Sequence, residues 1–285
     1  MTHSGSCSAI RNVLNISIVA YRDDPHALKQ LRDTLEATSS LRCLYLVDNG
    51  NDDRLKDLFS TGRAQYIRTS RNLGFGKAHN IALKCSVDQQ APFHLVLNPD
   101  VSFQPEALDA CVQEMVGRTN VALLMPKVLY PDGSLQRLGK LLPNPLILAS
   151  RRLVPAFLRR AWDKRYELQQ YDYNDELAIP ALSGCFMLIR TEALTFTGLF
   201  DENYFMYMED FDLCRRLRQW GQTICWPKVS IYHAFARGSI KEFRLLKAHI
   251  LSAVHYFNKW GWLWDPERRE LNRKTLNELN HRGSE

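Results

Sequence analysis

The stretch Leu44-Tyr45-Leu46-Val47-Asp48-Asn49-Gly50-Asn51-Asp52-Asp53 runs from apolar residues straight into a block of turn formers. A short apolar run bounded in this way reads as a buried strand, because Asp and Asn bond their own backbone and tolerate positive φ. Upstream, Ile16-Ser17-Ile18-Val19-Ala20 reads as a first strand, and Asp24-Pro25 opens a helix with a capping carboxylate and a proline at its first position. Leu28, Leu31 and Leu35 give that helix one apolar face. Downstream, a third strand near Gln65 to Arg68 leads into Asn72-Leu73-Gly74-Phe75-Gly76-Lys77 and a helix through Ala82. A fourth strand, Phe93 to Leu97, stops at Asn98-Pro99-Asp100, where proline lacks the donor a ladder needs. This alternation from Asn15 to Met125 predicts βαβ units and an α/β fold, with a mostly parallel sheet flanked by helices. Ligands of such sheets bind beyond the carboxyl ends of the strands, so Ala20, Tyr21, Asp48 and Asp100 are expected around one site.

The second half is less regular. After a strand at Val121 to Met125 and a turn at Tyr130 to Ser134, pattern fades until Pro180, and residues 140–179 are expected to form a variable insertion or lid. Ala181 to Ile189 reads as one apolar strand and Thr191 to Leu194 as a short helix. In the acidic stretch that follows, Leu213, Leu217 and Trp220 form a helical stripe closed by Gly221. The strand Cys225 to Tyr232 ends at His233. Beyond it, Phe243, Leu246, Ile250, Val254 and Phe257 make a helical stripe expected to be core.

Composition narrows the class. The 285 residues are 45% hydrophobic and 24% charged, enough for one full core. A net charge of +6 permits an anionic ligand or membrane surface without demanding nucleic acid, which is not expected as a partner. Seven scattered cysteines form no Cys-x-x-Cys pair, no run approaches the ~20 apolar residues of a membrane span, and the first residues lack a secretory pattern. A cytoplasmic location is expected. Gly74-x-Gly76 lacks the third glycine of a dinucleotide fingerprint, which argues against a nicotinamide enzyme.

Taken in order, Ile18 to Tyr21, Val47 to Gly50, Asn72 to Gly76, Leu97 to Asp100, Ser183 to Phe186 and Gly198 to Asp210 resemble the family 2 glycosyltransferases of GT-A fold, especially rhamnosyltransferase-like members. The likeness spans roughly Asn15 to Trp262. It implies a GT-A domain over 13–239, with a nucleotide-binding half at 1–126, an acceptor-binding half at 127–239 and a helical extension at 240–285. It also implies an inverting transferase that moves a sugar, L-rhamnose from dTDP-L-rhamnose foremost, onto a glycan or polyprenyl-linked acceptor for cell-envelope polysaccharide. Another UDP- or GDP-hexose transferase is the next reading, and a binding module without turnover the third. Carried over by position, Asp48 meets the nucleobase, Asp100 and His233 hold Mg²⁺ or Mn²⁺, and Asp210 is the catalytic base. Ala20, Tyr21, Gly74, Lys77 and Asn98 complete the donor site, and Ser183, Gly184, Glu209, Arg237 and Ser239 line the donor and acceptor pocket. Two departures stand out: the first strand ends Ala20-Tyr21-Arg22 instead of Thr-Tyr-Asn, and the common Asp-x-Asp is here Asn98-Pro99-Asp100. One carboxylate fewer holds a hard cation more loosely.

Residue types alone leave plainer readings open. An Asp after a strand is commonly a turn former, Glu209-Asp210-x-Asp212 reads equally as an acidic helix start, and His233 as a strand-end histidine bonded to backbone. The segment Arg151 to Arg165 mixes basic residues with Leu, Phe and Trp, which suits either an anionic inner-membrane surface at the cytoplasmic face or a solvated lid.

Overall fold

The computed structural model describes residues 10–234 and 243–282. Its first half is a run of βαβ units: β1 (Leu14–Ala20), α1 (Pro25–Glu36), β2 (Leu41–Asp48), α2 (Arg54–Leu58), β3 (Ala64–Arg68), α3 (Phe75–Asp88) and β4 (Phe93–Leu97). Asp24 caps α1 through the backbone N–H groups of His26 and Ala27, and Leu28, Leu31 and Leu35 are its buried face. Strands β3, β2, β1 and β4 lie side by side and all parallel, which puts their carboxyl ends on one rim.

The second half extends the same sheet. It comprises β5 (Val101–Ser102), α4 (Pro105–Gly117), β6 (Val121–Leu129), β7 (Gly139–Lys140), α5 (Pro145–Leu153), α6 (Arg160–Tyr166) and β8 (Leu177–Ala178). These are followed by β9 (Ala181–Leu182), β10 (Phe186–Arg190), α7 (Thr191–Thr197), α8 (Glu209–Leu217), β11 (Gln222–His233), α9 (Phe243–Trp260) and α10 (Pro266–Arg282). Strand β10 runs antiparallel between β4 and β6, and β11 continues parallel to β6. At the far edge the short β5 pairs antiparallel with the end of β11, His233 facing Val101.

The single strand expected over 181–189 is two. β9 pairs with β7 in a small separate sheet, β10 joins the main one, and Ser183-Gly184-Cys185 turns between them at the sheet rim. The 140–179 segment carries an arm of two helices, α5 and α6.

The α9 stripe needs correcting. Ile250 and Val254 are exposed, whereas Phe257 is buried as expected and packs with Tyr256 on Tyr204 and Met208; the buried Ser252 donates to the Met206 carbonyl. The expectation placed on Phe243 falls on a side chain outside the described residues. Apolar residues occur all round this helix, so periodicity could not choose the inward face.

Candidate active site

Three loops meet at the carboxyl rim of the sheet. Beyond β4, the Asn98 N–H donates to the Cys185 carbonyl, and the Asp100 carbonyl accepts from the Ala234 N–H just past β11. These bonds, with the β5–β11 pairing, bring residues far apart in the chain onto one patch.

Asp100 and His233 are the first pair. His233 is buried and its Nε2 stands 3.2 Å from Asp100 Oδ1. Gln136 donates from Nε2 to the His233 carbonyl and presents Oε1 to His233 Nδ1 at 2.6 Å. An amide oxygen accepts only, so Nδ1 carries the proton and Nε2 of a neutral ring turns a lone pair toward Asp100. Asp100 Oδ1 is buried without a hydrogen-bond donor among the described residues. An orphaned carboxylate oxygen facing an imidazole lone pair is a donor set that fits a divalent cation. No group of three His, Cys, Asp or Glu side chains gathers among the described residues, which offer this pair.

Asp210 is the second element. It occupies the first turn of α8, half-buried, where the helix dipole favours a negative charge. The Phe211 N–H donates to its Oδ1 at 2.9 Å and the Gly184 N–H to its Oδ2 at 3.3 Å. Burial raises its proton affinity above the ordinary carboxylate range, against the opposing pull of those N–H groups and of the Lys140 ammonium. Glu209 beside it is raised further, by burial first and then by the Asp210 charge, and its Oε2 is an unpartnered buried oxygen. Immediately before them Tyr207 and Met208 both hold positive φ, of 71° and 67°, a strained approach of the kind that clusters at functional sites. The Gly184 N–H bonds Asp210 while the Cys185 carbonyl accepts from the Asn98 N–H, so the Ser183-Gly184-Cys185 turn links the start of α8 to the loop that carries Asp100.

Other sequence expectations fare differently. Asp48 is fully buried, and it accepts from the Gly50 and Asp52 N–H groups at 2.9 and 2.8 Å and from the Tyr66 hydroxyl at 2.6 Å. Through these three donors it shapes the loop after β2. Lys77 pairs with Glu202, its ammonium 2.8 Å from the carboxylate. A Cβ at Gly74, where φ is +82°, would lie 2.0 Å from the Phe205 carbonyl oxygen, so this glycine admits the backbone of the 200–205 segment. Ala20 is buried and its carbonyl accepts from the Asn49 N–H, while Tyr21 is exposed at the rim. Ser183 donor and acceptor atoms stay local, near the Cys185 N–H. Arg237 and Ser239 lie outside the described residues.

Three residues escaped the sequence reading. Asn49 ties β2 to the donor loop by donating to Asn72 Oδ1 and the Gly74 carbonyl and accepting from the Leu73 N–H. Asp23, on the loop after β1, has its proton affinity raised by burial and then by the charge of Asp100, so it faces the same patch. Lys140, paired with Ala181 across β7 and β9, acts on Asp210. Only the partners reveal these roles, and none of those partners is a sequence neighbour.

A parallel α/β half with acidic side chains at its carboxyl rim, joined to an acidic helix start, defines a sugar-nucleotide transferase of GT-A fold. The chain belongs to the family described as glycosyltransferase like family 2, whose profile matches residues 12–248. It is 30% identical, over 95% of its length and 92% of the relative's, to the N-acetylglucosaminyl-diphospho-decaprenol L-rhamnosyltransferase of Mycobacterium tuberculosis. The rhamnosyltransferase WbbL of Escherichia coli K12 is 24% identical over 85% of the chain and 91% of its own length. Among solved structures, GalNAc-T7 with UDP, GalNAc and Mn²⁺ superposes with a TM-score of 0.61 at 15% identity. That match covers 91% of this chain and about half, 49%, of the other, and speaks for the fold alone. The protein is a glycosyltransferase.

Proposed function

We propose that the protein transfers L-rhamnose from dTDP-L-rhamnose, with inversion, to a polyprenyl-linked glycan in cell-envelope polysaccharide synthesis. Two relatives named as rhamnosyltransferases support the sugar, and the decaprenol-linked substrate in the name of one supports the acceptor. The observation that carries the chemistry is Asp210, a carboxylate of raised proton affinity held by the Gly184 N–H at the rim. Asp210 takes the proton from the acceptor hydroxyl while that oxygen bonds the anomeric carbon from the face opposite the departing nucleoside diphosphate. The anomeric carbon–oxygen bond breaks, its electron pair leaves with the diphosphate, and one displacement inverts the centre. Asp100 and the Nε2 of His233 would hold a divalent cation, with Gln136 fixing the imidazole tautomer. Such a cation supplies charge neutralisation to the leaving group when bound. Asp23 and Asn98 stand beside this pair, and Asn49 and Gly74 shape the donor loop.

A UDP- or GDP-hexose is the second reading, supported by a 24% identical relative from Haloferax volcanii that is named as a hexosyltransferase. Among the described residues no helix is long and apolar enough to cross a membrane, so a lipid-linked acceptor would be met by peripheral contact at the cytoplasmic face of the inner membrane. Replacing Asp210 by Asn tests the base. Transfer should fall by about 10²–10⁴-fold, the usual worth of general base catalysis, while thermal stabilisation by dTDP with Mn²⁺ stays that of the parent. A variant that keeps transfer within about tenfold of the parent removes Asp210 from the mechanism. The same thermal panel run with dTDP, UDP and GDP ranks the donor nucleotides.

A further inference from the structure

The α5–α6 arm, α10 and the link before α10 line a groove of about 870 Å³. Its wall carries Lys164, Arg165, Arg268, Arg269 and Arg273 and no Asp or Glu. Arg268 is buried and tied to the Pro143 carbonyl and Asp265. Lys164, Arg165 and Arg273 form no salt bridge among the described residues. Leu146, Trp262 and Leu263 line the same groove with exposed side chains, Leu263 at 81%, and Trp264 next to them stacks under Arg269 at 4.8 Å. This apolar exposure is not scattered. Among the described residues, all the large exposed apolar side chains except Tyr21, Phe196, Phe205 and Tyr232 lie on the arm, on α9 or on the link between α9 and α10.

We infer that this groove binds the phosphate headgroup of an anionic bilayer lipid while the Trp and Leu side chains at its mouth enter the interface. Lys164, Arg165 and Arg273, which converge without a salt bridge among the described residues, attract a phosphate, and indole and leucine side chains at the lip match a headgroup layer beside acyl chains. A second copy of the chain would set two acid-free cationic walls against each other. A free sugar phosphate gives no reason for Leu146 and Leu263 to stand in solvent. The inference adds a membrane contact to the proposed lipid-linked reaction but rests on the groove alone, whatever sugar is moved.

The full-length protein is sedimented with vesicles of phosphatidylcholine, with or without about one third phosphatidylglycerol. Binding is expected only to the anionic vesicles. The double variant Arg269→Glu/Arg273→Glu should weaken it by about tenfold or more, and Leu263→Ala/Trp264→Ala should leave residual binding that salt abolishes. If the charge reversal fails to fold, Arg269→Gln/Arg273→Gln serves in its place. Equal binding to neutral vesicles overturns the inference, as does a double variant that binds like the parent. So does self-association that depends on Leu263 in a protein that ignores vesicles, or capture of soluble glycerol phosphate without vesicle binding. Transfer to a water-soluble acceptor, measured in parallel, should be unchanged in these variants. A parent that binds vesicles yet transfers no sugar leaves the groove assigned and sinks only the transferase reading.

Discussion

At Asp210 the balance between burial and nearby positive charge sets the pH at which a base is available. Burial raises its proton affinity and the Lys140 charge lowers it. Lys140 in turn is made easier to deprotonate by burial and by Arg151, against the pull of Glu167 and Asp210. A base must be ionised to work, so activity should fall on the acid side with a limb above the 3.8 of a free aspartate. Lys140→Met removes the opposing charge and should move that limb to higher pH, read from kcat against pH. A limb that does not move shows that the ammonium is not felt at Asp210. The sequence revealed the acidic start of α8 and Asp100 after its strand, because strand ends and turn formers are local patterns. It did not reveal where Asp48 and Lys77 point. Their directions are set by Tyr66 and Glu202, partners that only the fold brings near.

The elements that were easiest to read are the fully buried parallel strands, whose apolar runs stop abruptly at polar rims. The hardest was the attachment of the C-terminal helices, which depends on single ion pairs. Arg215 on α8 is buried and makes a two-pronged contact with Asp265, at 2.8 and 2.6 Å, under the face of Trp260 at 4.1 Å. Asp265 also accepts from the Arg268 N–H in the first turn of α10. Nearby Asp212, fully buried on α8, is held by Trp260 Nε1, Lys259 and Arg216. The helix carrying Asp210 is thus braced from behind by the chain's last helices. Asp265→Asn leaves a buried guanidinium short of its main counter-charge, which costs about 3–5 kcal/mol where no other partner remains. Glu267, at 2.6 Å, is a remaining partner, so a loss near about 3 kcal/mol in denaturant unfolding is expected. A loss below about 1 kcal/mol would mean that α10 is not what braces α8.

For the molecule as a whole, the most consequential polar feature lies inside the parallel half. Ser17 on β1 bonds His79 Nδ1 at 2.7 Å and His94 Nε2 at 2.8 Å, and Ser86 bonds His94 Nδ1 at 2.6 Å. Both imidazoles are fully buried with no carboxylate partner, so burial pushes His94 down to about 3 and His79 well below the 6.5 of a free imidazole. His79 also touches Phe75, at 4.5 Å between ring centres, and Phe75 packs against Gly184, whose N–H holds Asp210. Stability from these groups is complete above the free value and declines as pH falls below it, because the unfolded chain then binds protons that the folded chain excludes. For His94 the decline continues down to its folded value near 3. Between about pH 7 and about pH 5 each histidine should cost about 2 kcal/mol. Urea unfolding of the parent and His94→Gln at both values isolates the effect, since the carboxylates titrate alike in the two proteins. The variant begins less stable, as a buried network has lost a member, but the gap should close by about 2 kcal/mol on acidification. A gap that stays constant would show that His94 carries a proton in the folded state, and the neutral network beneath the donor loop would have to be abandoned.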